Sequence, residues 1–549
     1  MGETLAGIGA AAGTILALVA APCVAAPTAR FADLTYAAAH VPPTPAGSYR
    51  NPILPGFQPD PSIVRVGEDF YLVNSTFGWF PGIPVFHSRD LVHWRQIGNA
   101  IDRPGMLDFT GLGIERGVFA PAISWHDGTF YILNTCVDCR GNFLITARDP
   151  AGPWSQPVWL DFDGIDCSLF IDDDGTAWVV NNGPPPEKPR YDGHRAIWIQ
   201  QFDLKTLKLF GPRKVLVDGG VHPEDKPVWA EGPHVFKRDG WYYLMAAEGG
   251  TAENHSETIY RSRKPDGPYA AGPVNPILTQ RDLPPGRPNR VEATGHADLV
   301  ELPDGQWWGV FLATRPFTRQ STLLGRETYL LPVSWNDGWP LFLKPGEPVP
   351  LVARRPALPA SPGSAWDNWR DDFNESALSP EWLRLRTPGA VQDHALEHGE
   401  LLLIPSRDPP GSLGAPSFWG KRLRHPAATI STTVSFAPEK PGDFAGLLAF
   451  MDEGHFLAFG IEGQEIVARL RTDPKQDQRG AIVARAPLGP GGPIDLRLAI
   501  DGGAAALSWR PHGGAWRMLA PKIDVEPLAT VHAGLFTGLV VGPYALAAS

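Results

Sequence analysis

The chain has 549 residues, more than one ordinary domain holds. It carries 19% charged residues, 58 Pro and 59 Gly, a composition suited to a turn-rich all-β protein. A formal net charge of −11 argues against nucleic acid or an anionic membrane surface as a partner, no Gly-rich phosphate loop is present, and beyond residue 26 no apolar stretch is long enough to span a membrane.

Residues 1–26 read as a secretory signal. Leu5 to Ala26 is apolar and ends in the small-residue run Val24-Ala25-Ala26, although the segment ahead of it has Glu3 and no Lys or Arg. An exported protein, periplasmic or extracellular, is the expectation. Residues 27–46 form a polar, Pro-containing lead-in. From Tyr49 the chain runs extended to Asp60, where Pro59 and Pro61 hold the backbone out of helix. A hairpin follows, then an aromatic loop (Phe77, Trp79, Phe80). The run Ser88-Arg-Asp-Leu-Val-His-Trp94 reads as an outer-strand turn whose Trp packs between repeat units, with weaker echoes ending at Trp154 and Tyr269.

Hairpins organise residues 47–344. Asp127-Gly128, Asp174-Gly175, Asp239-Gly240 and Asp304-Gly305 each join two apolar runs, the strongest short hairpin signal in a sequence, and Glu68-Asp69 holds the same place in the first copy. Eight residues back from each turn lie Asp60, Phe119, Asp166, Glu231 and His296, spaced by 59, 47, 65 and 65 residues. Short strands repeated on this period predict a five-bladed β-propeller. The first strand of each blade lines the central channel, so the repeated position sets five side chains around one funnel, three of them carboxylates. Each acid alone also reads as a turn former. However, the turn acids are counted separately, and these three are followed by small or apolar residues, where an acid is costly unless paired or functional.

Cys136 and Cys139 form a Cys-x-x-Cys pair, read as a local disulfide or two free thiols; a metal would need two further ligands, and no second pair exists. Cys167, beside Asp166, reads as a buried small residue. In the fifth unit Arg326 and Glu327 start a strand over 328–333; Arg326 either orients an acid, binds a ligand hydroxyl, or pairs with Glu327 at the surface. Residues 345–366 are a Pro-rich, extended linker. Over 367–549, strands at 400–404, 429–436, 446–450, 455–461, 465–471, 495–500, 505–509 and 516–519 predict a β-sandwich of jelly-roll or concanavalin-like type. No helix longer than a turn or two is required.

The runs Asn51-Pro-Ile-Leu-Pro-Gly-Phe-Gln-Pro-Asp-Pro-Ser-Ile-Val64, Phe80-Pro-Gly-Ile-Pro-Val-Phe-His-Ser-Arg-Asp-Leu-Val-His-Trp94, Ala230-Glu-Gly-Pro-His-Val235 and Leu324-Gly-Arg-Glu-Thr328 resemble glycoside hydrolase family 43, above all its two-domain β-xylosidases and α-L-arabinofuranosidases. Trp369-Arg-Asp-Asp-Phe373 and Ser379 to Arg386 carry the resemblance into the second domain. It implies an inverting, exo-acting hydrolase of xylo- or arabino-oligosaccharides. Asp60 would be general base, Glu231 general acid and Asp166 the residue that tunes and orients Glu231. Arg326 would contact substrate, Phe77 would line the sugar pocket, and His296 would lie near the funnel floor. No cofactor is implied beyond a possible Ca2+ near His296. Phe119 stands where Trp is common in the family, which bears on pentose preference, and Cys167 stands where Pro is common. A loop of the second domain is expected to help close the pocket, with no residue identified. An endo-acting arabinanase or xylanase and a non-catalytic sugar-binding propeller are the alternative readings, and a homo-oligomer is left open.

Overall fold

Every expected hairpin becomes the inner strand pair of one blade. The computed structural model describes Gly2 and residues 28–318, 320–387, 393–489 and 491–548, so the signal expected at 1–26 lies, but for Gly2, outside the described residues. The five blades open with Ser62–Val66, Ala122–His126, Ile165–Ile171, Glu231–Arg238 and Glu292–Glu301, and in each the following strands pair antiparallel, outward in chain order. The opening strands neighbour one another around the ring, and the fifth neighbours the first. Asp298 helps close that seam: its Oδ2 accepts the Ser62 hydroxyl at 2.8 Å and the Ile63 N–H at 2.9 Å.

The turns are of two kinds. Asp127-Gly128 and Asp239-Gly240 are two-residue turns with both residues at positive φ, the geometry that Asp-Gly favours, whereas the loops over 172–176 and 302–306 are longer. The first hairpin departs from expectation. Val66 pairs with Asp69, so its turn is Gly67-Glu68, with Gly67 at φ +65° supplying the left-handed residue at the first central position. Trp94, Trp154 and Tyr269 do pack between blades: Trp94 lies with Leu302 and Trp308 of blade five, Trp154 with residues of blades one and two, and Tyr269 against blades three and four.

Two segments read as connectors are built into the fold. In the lead-in, Ala29–Phe31 and Leu34–Ala38 are strands of the second domain, pairing with Ala427–Ser435, Glu400–Leu403 and Asn368–Asp371. Phe31 and Leu34 are fully buried in the sandwich core, and Tyr36 stacks on Trp369 at 5.5 Å. In the Pro-rich linker, Val352–Arg354 pairs with Ser48–Arg50, and Ser361 N–H and Arg355 both bond the buried Asp90 carboxylate. The linker is extended, as Pro dictates, but docked.

The second domain is a two-sheet sandwich, one sheet of nine strands and one of seven. Residue 465–471 falls where expected; Ala481–Pro487, Val540–Leu546 and His394–Glu397 are additional strands. Among the described residues helix is confined to Thr530–Ala533 and two single 3-10 turns. The seven-stranded sheet presses Phe418, Leu448, Phe450 and Tyr544 against Phe57, Phe77 and Trp79 of the propeller, one continuous apolar cluster across the two domains. Cys136 and Cys139 are joined as a disulfide, and Cys167 is buried and free.

Candidate active site

The funnel mouth is built from the starts of the inner strands. A β-bulge precedes the regular ladder in blade three between Ile165 and Ser168, in blade four between Glu231 and His234, and in blade five between Glu292 and Asp298. Bulges re-aim side chains next to active sites. At the repeated position the backbone turns left-handed in three blades: Asp60, Asp166 and His296 have φ of 51°, 53° and 50°. Non-glycine residues held there are strained by about 1–3 kcal/mol each, and such positions cluster at functional sites. Blade four is offset by one, because Gly232, not Glu231, carries the positive φ (+56°). A Cβ on Gly232 would meet the His296 ring at 2.9 Å, so glycine is required there for space as well as for conformation.

These residues surround a cavity of about 420 Å³. Asp60, Asp166, Glu231 and His296 line it together with Phe77, Phe119 and Arg326, so all seven candidate residues meet at one place. Thr251, His255, Trp229, Arg116 and Phe536 complete the wall without having been singled out from sequence. Phe536 comes from the second domain. It stacks on Phe77 with centroids 5.4 Å apart and meets Phe119 edge-on at 5.6 Å, while Phe77 and Phe119 are themselves edge-to-face at 5.2 Å. Three phenyl rings thus pack together as an apolar shelf on the cavity wall. A larger cleft of about 870 Å³ lies away from the acids, where the lead-in meets the Pro-rich segment, and contains none of the five repeated positions.

The three carboxylates are held differently. Arg326 donates to Asp60 with Nη1 at 2.9 Å and Nη2 at 3.4 Å, and the Ser75 hydroxyl donates at 2.5 Å. His296 Nδ1 stands 3.6 Å from Asp60. Burial pushes the Asp60 carboxyl up, but Arg326, His296, Ser75 and His255 together outweigh it and hold it below the usual aspartate value. Burial also holds His296 down to about 4 and His255 to about 3, and the largest influence lowering Asp60 is the permanent charge of the Arg326 guanidinium. Burial, then the Asp60 charge, pushes Asp166 up to about 7. Burial, then Asp166, then Asp60, raises Glu231 well above the ordinary glutamate value. The Gly232 N–H donates to Asp166 at 3.2 Å. That donor favours the anion on Asp166, whose charge in turn helps raise Glu231.

Arg326 and Glu327 are not a surface pair. Neighbouring residues of a strand face opposite ways. Arg326 enters the funnel, while Glu327 is fully buried beneath it, bridged twice by Arg315 at 2.7 Å and capped by the Gly56 N–H at 2.7 Å. Arg326 also donates to Thr251 Oγ1 at 3.0 Å. The Ca2+ expected near His296 finds no ligand set: among the described residues no three His, Cys, Asp or Glu side chains group closely enough to hold a metal. His296 is instead engaged by Asp60 and packed over Gly232.

Residues 49–340 match the family described as Glycosyl hydrolases family 43, and residues 370–549 the one described as Beta xylosidase C-terminal Concanavalin A-like domain. A xylosidase/arabinosidase of Butyrivibrio fibrisolvens is 36% identical over 502 residues, covering 90% of this chain and 95% of that protein. A non-reducing end α-L-arabinofuranosidase of Bacteroides ovatus is 40% identical over 510 residues, 91% of each chain. Among solved structures, a GH43_12 protein retrieved from capybara gut metagenome aligns with a TM-score of 0.86 at 37% identity, covering 95% of this chain and all 100% of that one.

Proposed function

The chain belongs to glycosyl hydrolases family 43, and from that premise we propose that it is an exo-acting, inverting enzyme that removes terminal β-D-xylose or α-L-arabinofuranose from hemicellulose-derived oligosaccharides. The observation that carries this reading is the split of carboxylate pKa values across one cavity, Asp60 held down and Glu231 held up. Acid and base roles follow from such a split. Asp60, ionised, takes a proton from the attacking water. Glu231, protonated, donates to the leaving oxygen. Asp166 keeps Glu231 protonated by its own charge and holds the Gly232 backbone beside it. Inversion requires base and acid carboxyls separated by roughly 6.5–9.5 Å, enough for a water between them.

Two features support a chain-end substrate. The cavity is near the lower end of the usual range for small-molecule sites, roughly 300–1,000 Å³, and Phe536 of the second domain covers one side of it. Phe119 and Phe536, both partly exposed, offer apolar surface to a sugar ring, with the buried Phe77 stacked between Phe57 and Phe536 behind them, while the acids and Arg326 supply the polar contacts. The Cys136–Cys139 disulfide supports the export read from residues 1–26, because such bonds persist in oxidising compartments.

Side-by-side assays on aryl β-xyloside, aryl α-L-arabinofuranoside and linear arabinan test the proposal, with the anomer of the first product followed by NMR. Release of single pentoses with inverted configuration is expected. Internal cleavage of arabinan would establish an endo-enzyme, a retained anomer would replace Asp60 as base with a nucleophile, and sugar binding without turnover by purified protein would leave a binding propeller.

A further inference from the structure

Across the domain boundary, the propeller loop that leads to Phe119 gives a carboxylate to the sandwich loop carrying Phe536 and receives one from a second sandwich turn, the one carrying Glu453. In the propeller, Glu115 Oε1 accepts the Phe536 N–H at 2.9 Å. From the sandwich, Glu453 returns the contact to the adjacent residue, its carboxylate accepting the Ile114 N–H at 3.0 and 3.3 Å. Arg386 locks that return contact, pairing with Glu453 and donating from Nε to Leu112 O at 2.6 Å. Gly534 is needed for the approach, since a Cβ there would lie 2.3 Å from the Glu115 carboxyl. Glu115 does not line the catalytic cavity, and its neighbour Arg116 does. A half-buried carboxylate fixed on a backbone N–H is a charge-assisted bond, roughly twice as strong as a neutral one, and here it fixes the residue whose ring roofs the cavity.

We propose that Glu115 is a positioning residue that latches Phe536 over the catalytic cavity and thereby sets the enzyme's preference for chain ends. The inference rests on the exo-glycosidase reading above for its substrate, but not for its structural core. Without the latch the Phe536 loop keeps, on the propeller side, the Arg326 Nη2 contact to Phe536 O at 3.5 Å, the Leu539 N–H bond to Leu323 O and the stacking on Phe77, its ring is less firmly held, and a pocket for one terminal sugar opens toward a groove.

The test is a double-mutant cycle of Glu115→Ala and Phe536→Ala on the full chain, with Glu115→Gln as the conservative variant. Kinetics use an aryl pentoside, and hydrogen exchange follows the Phe536 and Thr537 amides. Glu115→Ala is expected to raise KM by roughly ten- to a hundredfold, the loss of one hydrogen bond to a charged group, with a much smaller change in kcat. Phe536→Ala is expected to do the same, and the double variant to be no worse than Phe536→Ala alone. Glu115→Gln, whose amide oxygen still accepts the N–H, is expected to recover most of the loss. Losses that multiply in the double variant, or a fall in kcat at constant KM, overturn the latch. Exchange reads the latch without turnover: faster exchange at Phe536 in Glu115→Ala is expected, and unchanged protection overturns the latch. Absence of pentosidase activity in the wild type overturns the functional reading instead.

Discussion

Replacing Arg326 by Ala separates two roles that its position allows, substrate contact and guardian of the base. Asp60 and Arg326 are each only 6% exposed at their side chains and meet at 2.9 Å. Removing one partner of a buried pair leaves an uncompensated charge, a cost of roughly 3–5 kcal/mol. The Ser75 hydroxyl still donates and His296 still stands 3.6 Å away, but the largest influence that lowers the Asp60 pKa is gone. Burial then dominates, and the Asp60 pKa moves from below to above its usual value. At about 1.4 kcal/mol per tenfold, kcat/KM at neutral pH falls by about a hundredfold or more. The acid limb of the pH–kcat/KM profile moves to higher pH, and raising the pH restores part of the activity until Glu231 deprotonates. Stability follows the same sign. In the wild type, the depressed Asp60 pKa contributes stability above the unfolded value and loses it as pH falls through the folded one. In Arg326→Ala that dependence reverses, so urea midpoints of the two proteins diverge at neutral pH and converge in acid. Arg326→Lys keeps a charge without the fork and gives a smaller displacement of the limb. A folded Arg326→Ala protein with lowered activity and an unmoved acid limb would refute the reasoning, reducing Arg326 to a substrate contact and removing the ground for Asp60 as base.

Glu231→Gln abolishes hydrolysis yet raises stability at neutral pH. The raised Glu231 pKa contributes stability that is fully present below about 4.5 and lost as pH rises through the folded value, so urea midpoints above that range show the gain and those below it do not. Gly232→Ala forces a side chain onto φ +56° and into the His296 ring; activity drops severely and stability falls by about 1–3 kcal/mol in chemical denaturation. Phe31→Ala, at a fully buried position in the sandwich, costs about 3–5 kcal/mol, and a denaturation curve matching wild type would show that the lead-in strands carry no load.

The site was more legible than its surroundings. The eight-residue register reports the geometry of one inner strand and its turn, a local relation, and it located Asp60, Phe119, Asp166, Glu231 and His296 on a single cavity. Phe536 left no such trace, because its contacts with Phe77 and Phe119 join residues more than 400 positions apart. Thr251 and His255 enter the cavity from a loop after the second strand of blade four, outside the repeated register. The adjacency of Arg326 and Glu327 suggested a pair, and strand alternation sends them to different partners. The lead-in was read as a polar connector, yet Ala29 and Phe31 in one strand and Leu34 and Tyr36 in the next alternate as one face of a strand should, a signal visible in retrospect.

Those first strands also set an order of events. Thr35 bonds Ser431 across 396 positions, so the strands at 29–38 are completed only by a segment made long after them. The propeller between them has all its blades before either sheet of the sandwich can close. Pairings of such long span are slow to form, and the unpaired edge of residues 29–38 must wait meanwhile. Phe536, which walls the acid-lined cavity, belongs to the sandwich, so that wall is in place only once the second domain has closed. A molecule whose propeller has formed but whose sandwich has not would hold the three acids around an open funnel, without the wall that Phe536 supplies.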